Sequence, residues 1–233
     1  MTHVLVPVRV LEGQSVSLGL MELLGTMDVT VLGYHVLPEQ TPPDQARLQY
    51  EDRATEALED IAEEFRQAGG AADYRLVFTA DRAQTVDRVA DEIDARAYVV
   101  TGATGTVDRL LVPLTGDVDA DRILSFVADL VGGRDIGVTL FFAGEAEADG
   151  GRELLAEAAA VLRERGIDVR TDRRTDTGPF EGLIEAVAGH DAVVMGEKAP
   201  SLRSMLFGEE AERVAAESVG PVLVVRRAEP STT

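Results

Sequence analysis

Apolar and polar positions along this chain switch between two rhythms. His3-Val-Leu-Val-Pro-Val-Arg9 is a short apolar run with a proline inside it, and it returns as Arg109-Leu-Leu-Val-Pro-Leu-Thr115. Such continuous runs predict strands buried on both faces. Each is followed by a polar turn and a predicted helix, Ser15 to Leu24 and Ala120 to Val131. Next come the strands Val29 to Tyr34 and Val138 to Phe142. Long amphipathic helices follow, Gln49 to Gln67 and Arg152 to Arg165. In the first, Leu58, Ile61, Ala62 and Phe65 recur at helical spacing and share one face. The third strands are Asp73 to Phe78 and Asp168 to Asp172, and the third helices are Gln84 to Ile93 and Phe180 to Ala188. Ala97 to Gly102 and Asp191 to Gly196 form the fourth strands.

Strands alternating with helices of this length predict an α/β protein with a parallel sheet. The matched order of elements predicts two domains in tandem, 1–107 and 108–228, with a short disordered tail from 229 to 233. The halves are unequal. After Gly196 the second continues through a loop, a helix from Glu209 to Ser218 and a fifth strand, Pro221 to Val225. The first stops at Ala103-Thr-Gly-Thr-Val-Asp108 and so lacks a last helix and a fifth strand. Its sheet is expected to leave the edge Tyr98 to Val100 open, for the other domain or a second chain to cover.

Composition narrows the setting. At 45% hydrophobic residues, the 233-residue chain can build its core without a cofactor. It has no cysteine, which excludes disulfides and thiolate chemistry. No secretory signal and no apolar run of about 20 residues is visible, so the expectation is a cytoplasmic protein without membrane insertion. The net charge is -20, and Lys198 is the only lysine. So acidic a surface repels nucleic acid and anionic lipid. At molar salt the Debye length falls to ~3 Å and the self-repulsion fades. The composition thus reads as adaptation to a salt-rich cytoplasm, as in a halophilic archaeon. Equal folding in dilute buffer would count against that reading.

The candidate chemistry lies in the last forty residues. A strand ends on Gly196, a second glycine, Gly208, opens a helix, and an apolar strand closes the unit. This is the phosphate-facing corner of a nucleotide-type α/β domain. With Val-Pro-Val, Val-Pro-Leu and Gly33-Tyr-His-Val-Leu-Pro-Glu39, it resembles the universal stress protein family over the chain up to about Arg227. The resemblance implies flavodoxin-like (Rossmann-like) domains, a stress-related role, ATP binding in many members, and dimerisation through the fifth strand.

ATP-binding members of that family carry an aspartate after Val-Pro-Val and a Gly-x2-Gly-x9-Gly-(Ser/Thr) run. This chain has Arg9 and Thr115 at the aspartate positions, with Asp117 two residues after Thr115. Ala199 stands for the second glycine, eight residues rather than nine separate it from Gly208, and Glu209 takes the hydroxyl position. The first half keeps Gly102-x2-Gly105. A carboxylate ~4 Å from a phosphate repels it by about 1 to 4 kcal/mol. Glu209 and Glu210 can themselves satisfy the helix N-terminus where phosphate would sit. Lys198, Arg203 or magnesium would offset the repulsion. The candidate nucleotide cleft is Thr115, Gly116, Asp117, Phe142, Gly196, Lys198, Ala199, Gly208 and Glu209, degenerate toward ATP or AMP with Mg.

Other groups offer little. His3, His35 and His190 show no ligand spacing, and His35 is read as packing locally at a strand end. Asp117 and Asp119 are open to two readings, a cation site or helix capping. No nucleophile motif or Walker-type run occurs. Arg226 and Arg227 are read as the start of a polar tail.

The expected function is a non-catalytic regulatory or stress-response module, not an enzyme, acting through dimer or partner surfaces. The surfaces singled out are Val222 to Val225 and Tyr98 to Val100, so that Leu223→Lys would weaken a homodimer. Two alternatives stay open. One is an ATP or AMP sensor, in which Glu209→Ser would raise affinity. The other is a soluble partner of a membrane transporter.

Overall fold

A computed structural model describes residues 2–37, 43–100, 102, 104–116, 118–144, 150–197 and 220–227. The strands are β1 (His3–Arg9), β2 (Asp28–Val36), β3 (Ala71–Thr79), β4 (Ala97–Val100), β5 (Arg109–Pro113), β6 (Gly137–Ala143), β7 (Val169–Arg174), β8 (Ala192–Gly196) and β9 (Val222–Val225). The helices are α1 (Leu18–Leu23), α2 (Pro43–Gln67), α3 (Arg82–Glu92), α4 (Ala120–Val131), α5 (Gly150–Glu164) and α6 (Pro179–Val187), with a 3-10 turn at Val10–Glu12.

The nine strands among the described residues form one sheet, in the order β3-β2-β1-β4-β9-β8-β5-β6-β7. Every pairing is parallel except β4 with β9. The α/β prediction therefore holds, and the elements fall close to their expected bounds. The main departures are α1, which starts at Leu18 after an extended Ser17 at its N-cap, and α2, which extends back to Pro43. The predicted helix from Glu209 to Ser218 lies outside the described residues.

One core runs along each face of the sheet. On the first face, α1, α2, α4 and α5 bury Leu20, Leu58, Phe126 and Leu162 against Val6, Val112 and Leu223. On the second, α3 and α6 bury Val89 and Leu183 against Tyr98, Phe141 and Val224. Both clusters draw on strands from either side of β9. Periodicity explains the helices: α4 places Ile123, Leu124, Val127, Leu130 and Val131 inward, is capped by the Asp119 carboxylate on Arg122 N–H, and ends on Gly132 at φ 54°.

The edge expected to be open is covered. β9 lies between β4 and β8, with Leu223 opposite Val99 on one side and Val194 on the other. The other half of the same chain does the covering. Val222 to Val225 and Tyr98 to Val100 are thus spent on each other, and neither is a free edge for a homodimer. Leu223→Lys is consequently expected to act on folding rather than on self-association.

Side chains reinforce the junction. Arg226, read from sequence as part of a tail, continues the antiparallel pairing: its N–H donates to Arg96 O at 2.9 Å. Its guanidinium reaches the Asp91 carboxylate and Ala95 O. On the first face, Arg134 donates to Glu22 O (2.7 Å), Leu23 O (2.9 Å) and Val131 O (3.1 Å), and so ties the C-terminal ends of α1 and α4 together. Burial holds this guanidinium below the usual arginine range. The carbonyl ends of two helices offset that burial cost. Residues 228–233, including the expected tail, lie outside the described residues.

Candidate functional site

In open parallel sheets, ligands sit beyond the carboxyl ends of the strands, where connections leave in opposite directions. For the C-terminal strands that point lies between β5 and β8. Thr115, Gly116 and Gly196 are at this crevice. Thr115 is buried, 8% exposed, and its hydroxyl accepts a hydrogen bond from Ala143 N–H at 2.8 Å. The side chain at the aspartate position therefore pins the end of β6 to β5.

Gly196 faces apolar atoms. A Cβ built there would lie 3.1 Å from Ile123 Cδ1 and 3.4 Å from Val118 Cγ1. Val118 and Ile123 fill the floor of the crevice. A small cavity of about 10 Å3 lies beside them, toward the end of β9, lined also by Asp119, Arg122, Glu197 and Arg226. Glu197 N–H donates to Val225 O at 3.0 Å, and the Glu197 carboxylate accepts from Arg227 N–H at 3.3 Å. The strand end that opens the expected phosphate loop is thereby tied to the end of β9.

Phe142 does not join the others. Its ring turns to the α5 side and lies against Gly151, where a Cβ would come within 2.5 Å of it. Asp119 caps α4, accepting from Arg122 N–H at 3.1 Å, which is one of the two readings given to it. Asp117, Lys198, Ala199, Gly208 and Glu209 lie outside the described residues.

The corresponding corner of the N-terminal strands is built differently. Arg9 stands at the aspartate position and donates from Nε to the Tyr34 hydroxyl at 3.2 Å. It also pairs with Glu12. The hydrogen bond to Tyr34 raises its pKa most, against the opposing effect of burial. The Arg82 guanidinium lies 5.4 Å from the Tyr34 ring centre, and burial lowers its pKa, with Arg9 adding repulsion. Gly102 serves close packing, and the Gly105 backbone is closely approached by Gly19. A Cβ on Gly102 would meet Gly220 O at 2.3 Å, and one on Gly19 would meet Gly105 O at 1.6 Å.

The histidines stay apart. His3 Nε2 bonds Thr30 Oγ1 at 2.8 Å, and His190 bonds Thr139 Oγ1 and Ala186 O. His35 packs on Tyr50 and Phe78, with ring centres 5.8 and 6.3 Å away. This is the local packing expected of it.

Residues 106–226 match the model of the universal stress protein family. The match covers more than half of the chain. The chain belongs to the universal stress protein family. A universal stress protein from Archaeoglobus fulgidus DSM 4304 is similar over 97% of both chains, at 19% identity and a TM-score of 0.65. A functionally unknown protein from Pseudomonas aeruginosa PAO1 is similar at 16% identity and a TM-score of 0.52, over 97% of this chain and 92% of that one. The cytoplasmic domain of a prokaryotic cation chloride cotransporter is similar at 11% identity and a TM-score of 0.50, over 96% and 94%. At these identities the likeness carries the fold alone. No curated protein matches. Among the described residues, no helix is long and apolar enough to cross a membrane.

Sequence reasoning missed Val118 and Ile123 as the filling of this universal stress protein crevice, and Arg226 as a clamp. The sequence predicts a helix from Ala120 to Val131, but nothing in its spacing says what Ile123 would face.

Proposed function

We propose that this universal stress protein is a non-catalytic regulatory module of the cytoplasm with a degenerate nucleotide site, acting through its surfaces. In this reading it consists of tandem units, 1–107 and 108–228, that share one fifth strand. The observation that carries the reading is Thr115. Its buried hydroxyl is engaged with Ala143 N–H, so the position is used for holding strands and carries no carboxylate. Val118 and Ile123 behind Gly196 point the same way, since they take up space at the crevice with apolar atoms. The shared pairing of β1 with β2 and β5 with β6 supports the tandem reading.

Calorimetry with ATP and with AMP, in molar potassium chloride with magnesium, tests it. No saturable binding at micromolar concentration is expected from folded protein. Saturable micromolar binding would replace the reading with that of a nucleotide sensor. Glu209→Ser is the substitution expected to raise any residual affinity, by relieving a carboxylate–phosphate repulsion of about 1 to 4 kcal/mol.

A further inference from the structure

We propose that the groove between α1 and the C-terminal part of α2 docks a basic amphipathic helix of a partner protein. The proposal rests on the reading of this chain as a surface-acting module and names one of its surfaces. The groove arises from helix length. α1 has 6 residues where α4, the matching helix beside α5, has 12. The flank of α2 that a longer α1 would cover is left as a groove of about 590 Å3, lined by Val16, Leu18, Met21, Glu22, Glu64 and Ala68, with Gln67 at its rim.

The lining has a definite chemistry. Val16 and Met21 are buried and form an apolar floor, while Leu18 stands at the edge, 66% exposed. Among the described residues, the charged side chains lining the groove are two carboxylates, Glu22 and Glu64; the Arg134 guanidinium sits behind Glu22 on its backbone carbonyl. Neighbouring acids on α2 are engaged within the chain: Glu63 pairs with Arg66, and Glu59 accepts from Tyr74. Glu22 and Glu64 make no such ion pair among the described residues. An apolar strip flanked by carboxylates that make no ion pair among the described residues is complementary to a helix with an apolar stripe and lysine or arginine beside it. It disfavours an anionic membrane and a second copy of this acidic chain, which would bring like charges together.

The probe is a fluorescein-labelled 14-residue helical peptide of leucine and lysine with one apolar face, followed by anisotropy. Work at molar potassium chloride suppresses attraction to the general charge of -20. Saturable binding is expected, weakened at least tenfold by Leu18→Glu and severalfold by Glu22→Lys with Glu64→Lys. Leu48→Glu, at a residue 92% exposed outside the groove lining, serves as control and should change nothing. Both leucines are exposed, so folding of each variant should persist, and circular dichroism checks it.

No saturable binding overturns the proposal. So does equal weakening by Leu18→Glu and Leu48→Glu, which would mean unspecific attraction. Sedimentation showing a dimer that Leu18→Glu dissociates would assign the groove to a second copy and also overturn it. Peptide binding and nucleotide binding are read separately, so failure of the groove leaves the nucleotide result standing.

Discussion

The N-terminal and C-terminal strands carry out the same pairing with different side chains. Pro7 lies opposite Leu32 in β1 and β2, as Pro113 lies opposite Phe141 in β5 and β6. One position further, the second strand has Gly33 in one half and Phe142 in the other. Gly33 leaves space that Leu58 of α2 fills, with Leu58 Cδ1 2.5 Å from where a Cβ would be. Phe142 fills that space itself, and α5 answers with Gly151 beneath its ring. The large residue sits on the helix in one half and on the strand in the other, and a glycine faces it in each. At the strand ends the contrast is chemical. Arg9 reaches a tyrosine hydroxyl, whereas Thr115 holds a backbone N–H. A shared sheet geometry therefore places no common demand on the residues at the crevice.

The sharpest way to break this comparison is at β9, the strand both halves use. Leu223 is fully buried between Val99 and Val194. Leu223→Lys should cost on the order of 4 kcal/mol by placing a charge in the core. Urea unfolding monitored by circular dichroism measures it. Unchanged stability with altered self-association would restore β9 to the role of a dimer edge.

Close backbone packing comes next. Gly19→Ala places a Cβ on the Gly105 carbonyl and should cost about 2 kcal/mol or more through forced backbone shifts. A thermal midpoint within a degree of the parent would show that the loop at Gly105 does not rest on α1.

The exchange of large residues is tested by Gly151→Ala, expected to cost about 1 to 2 kcal/mol by overpacking against Phe142. Adding Phe142→Leu should return part of that loss, because the two sites share one space. Additive losses in the double variant would separate them. The smallest effect is expected from Thr115→Val, about 1 kcal/mol for leaving Ala143 N–H without its acceptor. Amide hydrogen exchange at Ala143 reports it directly, and unchanged protection would remove the hydroxyl from its role.

Much of the fold was legible in the residues. Val-Pro-Val and Val-Pro-Leu mark two equivalent buried strands, and the spacing of Leu58, Ile61, Ala62 and Phe65 marks a helix with one inward face. The site was less legible. Thr115 was visible as a departure from aspartate, but its bond to Ala143 joins residues on different strands. Arg226 looked like the first residue of a tail, since charge at a chain end carries no sign of what it will meet. Phe142 was assigned to a cleft because strand position predicts the end of the sheet at which a residue lies. Which face its ring occupies depended on Gly151.

The sequence by itself determined the described elements, their α/β order and the family. Those features depend on local periodicity and on residues near one another in the chain. Only the tertiary structure decided that one fifth strand serves both halves, antiparallel to β4 and parallel to β8. Only it decided that Val118 and Ile123 lie behind Gly196, and that a six-residue α1 leaves a groove on α2. Each depends on which surfaces remain after the strands have paired. Pairing is a competition among edges distant in sequence, and it is won by the arrangement that leaves fewest backbone groups and apolar side chains uncovered.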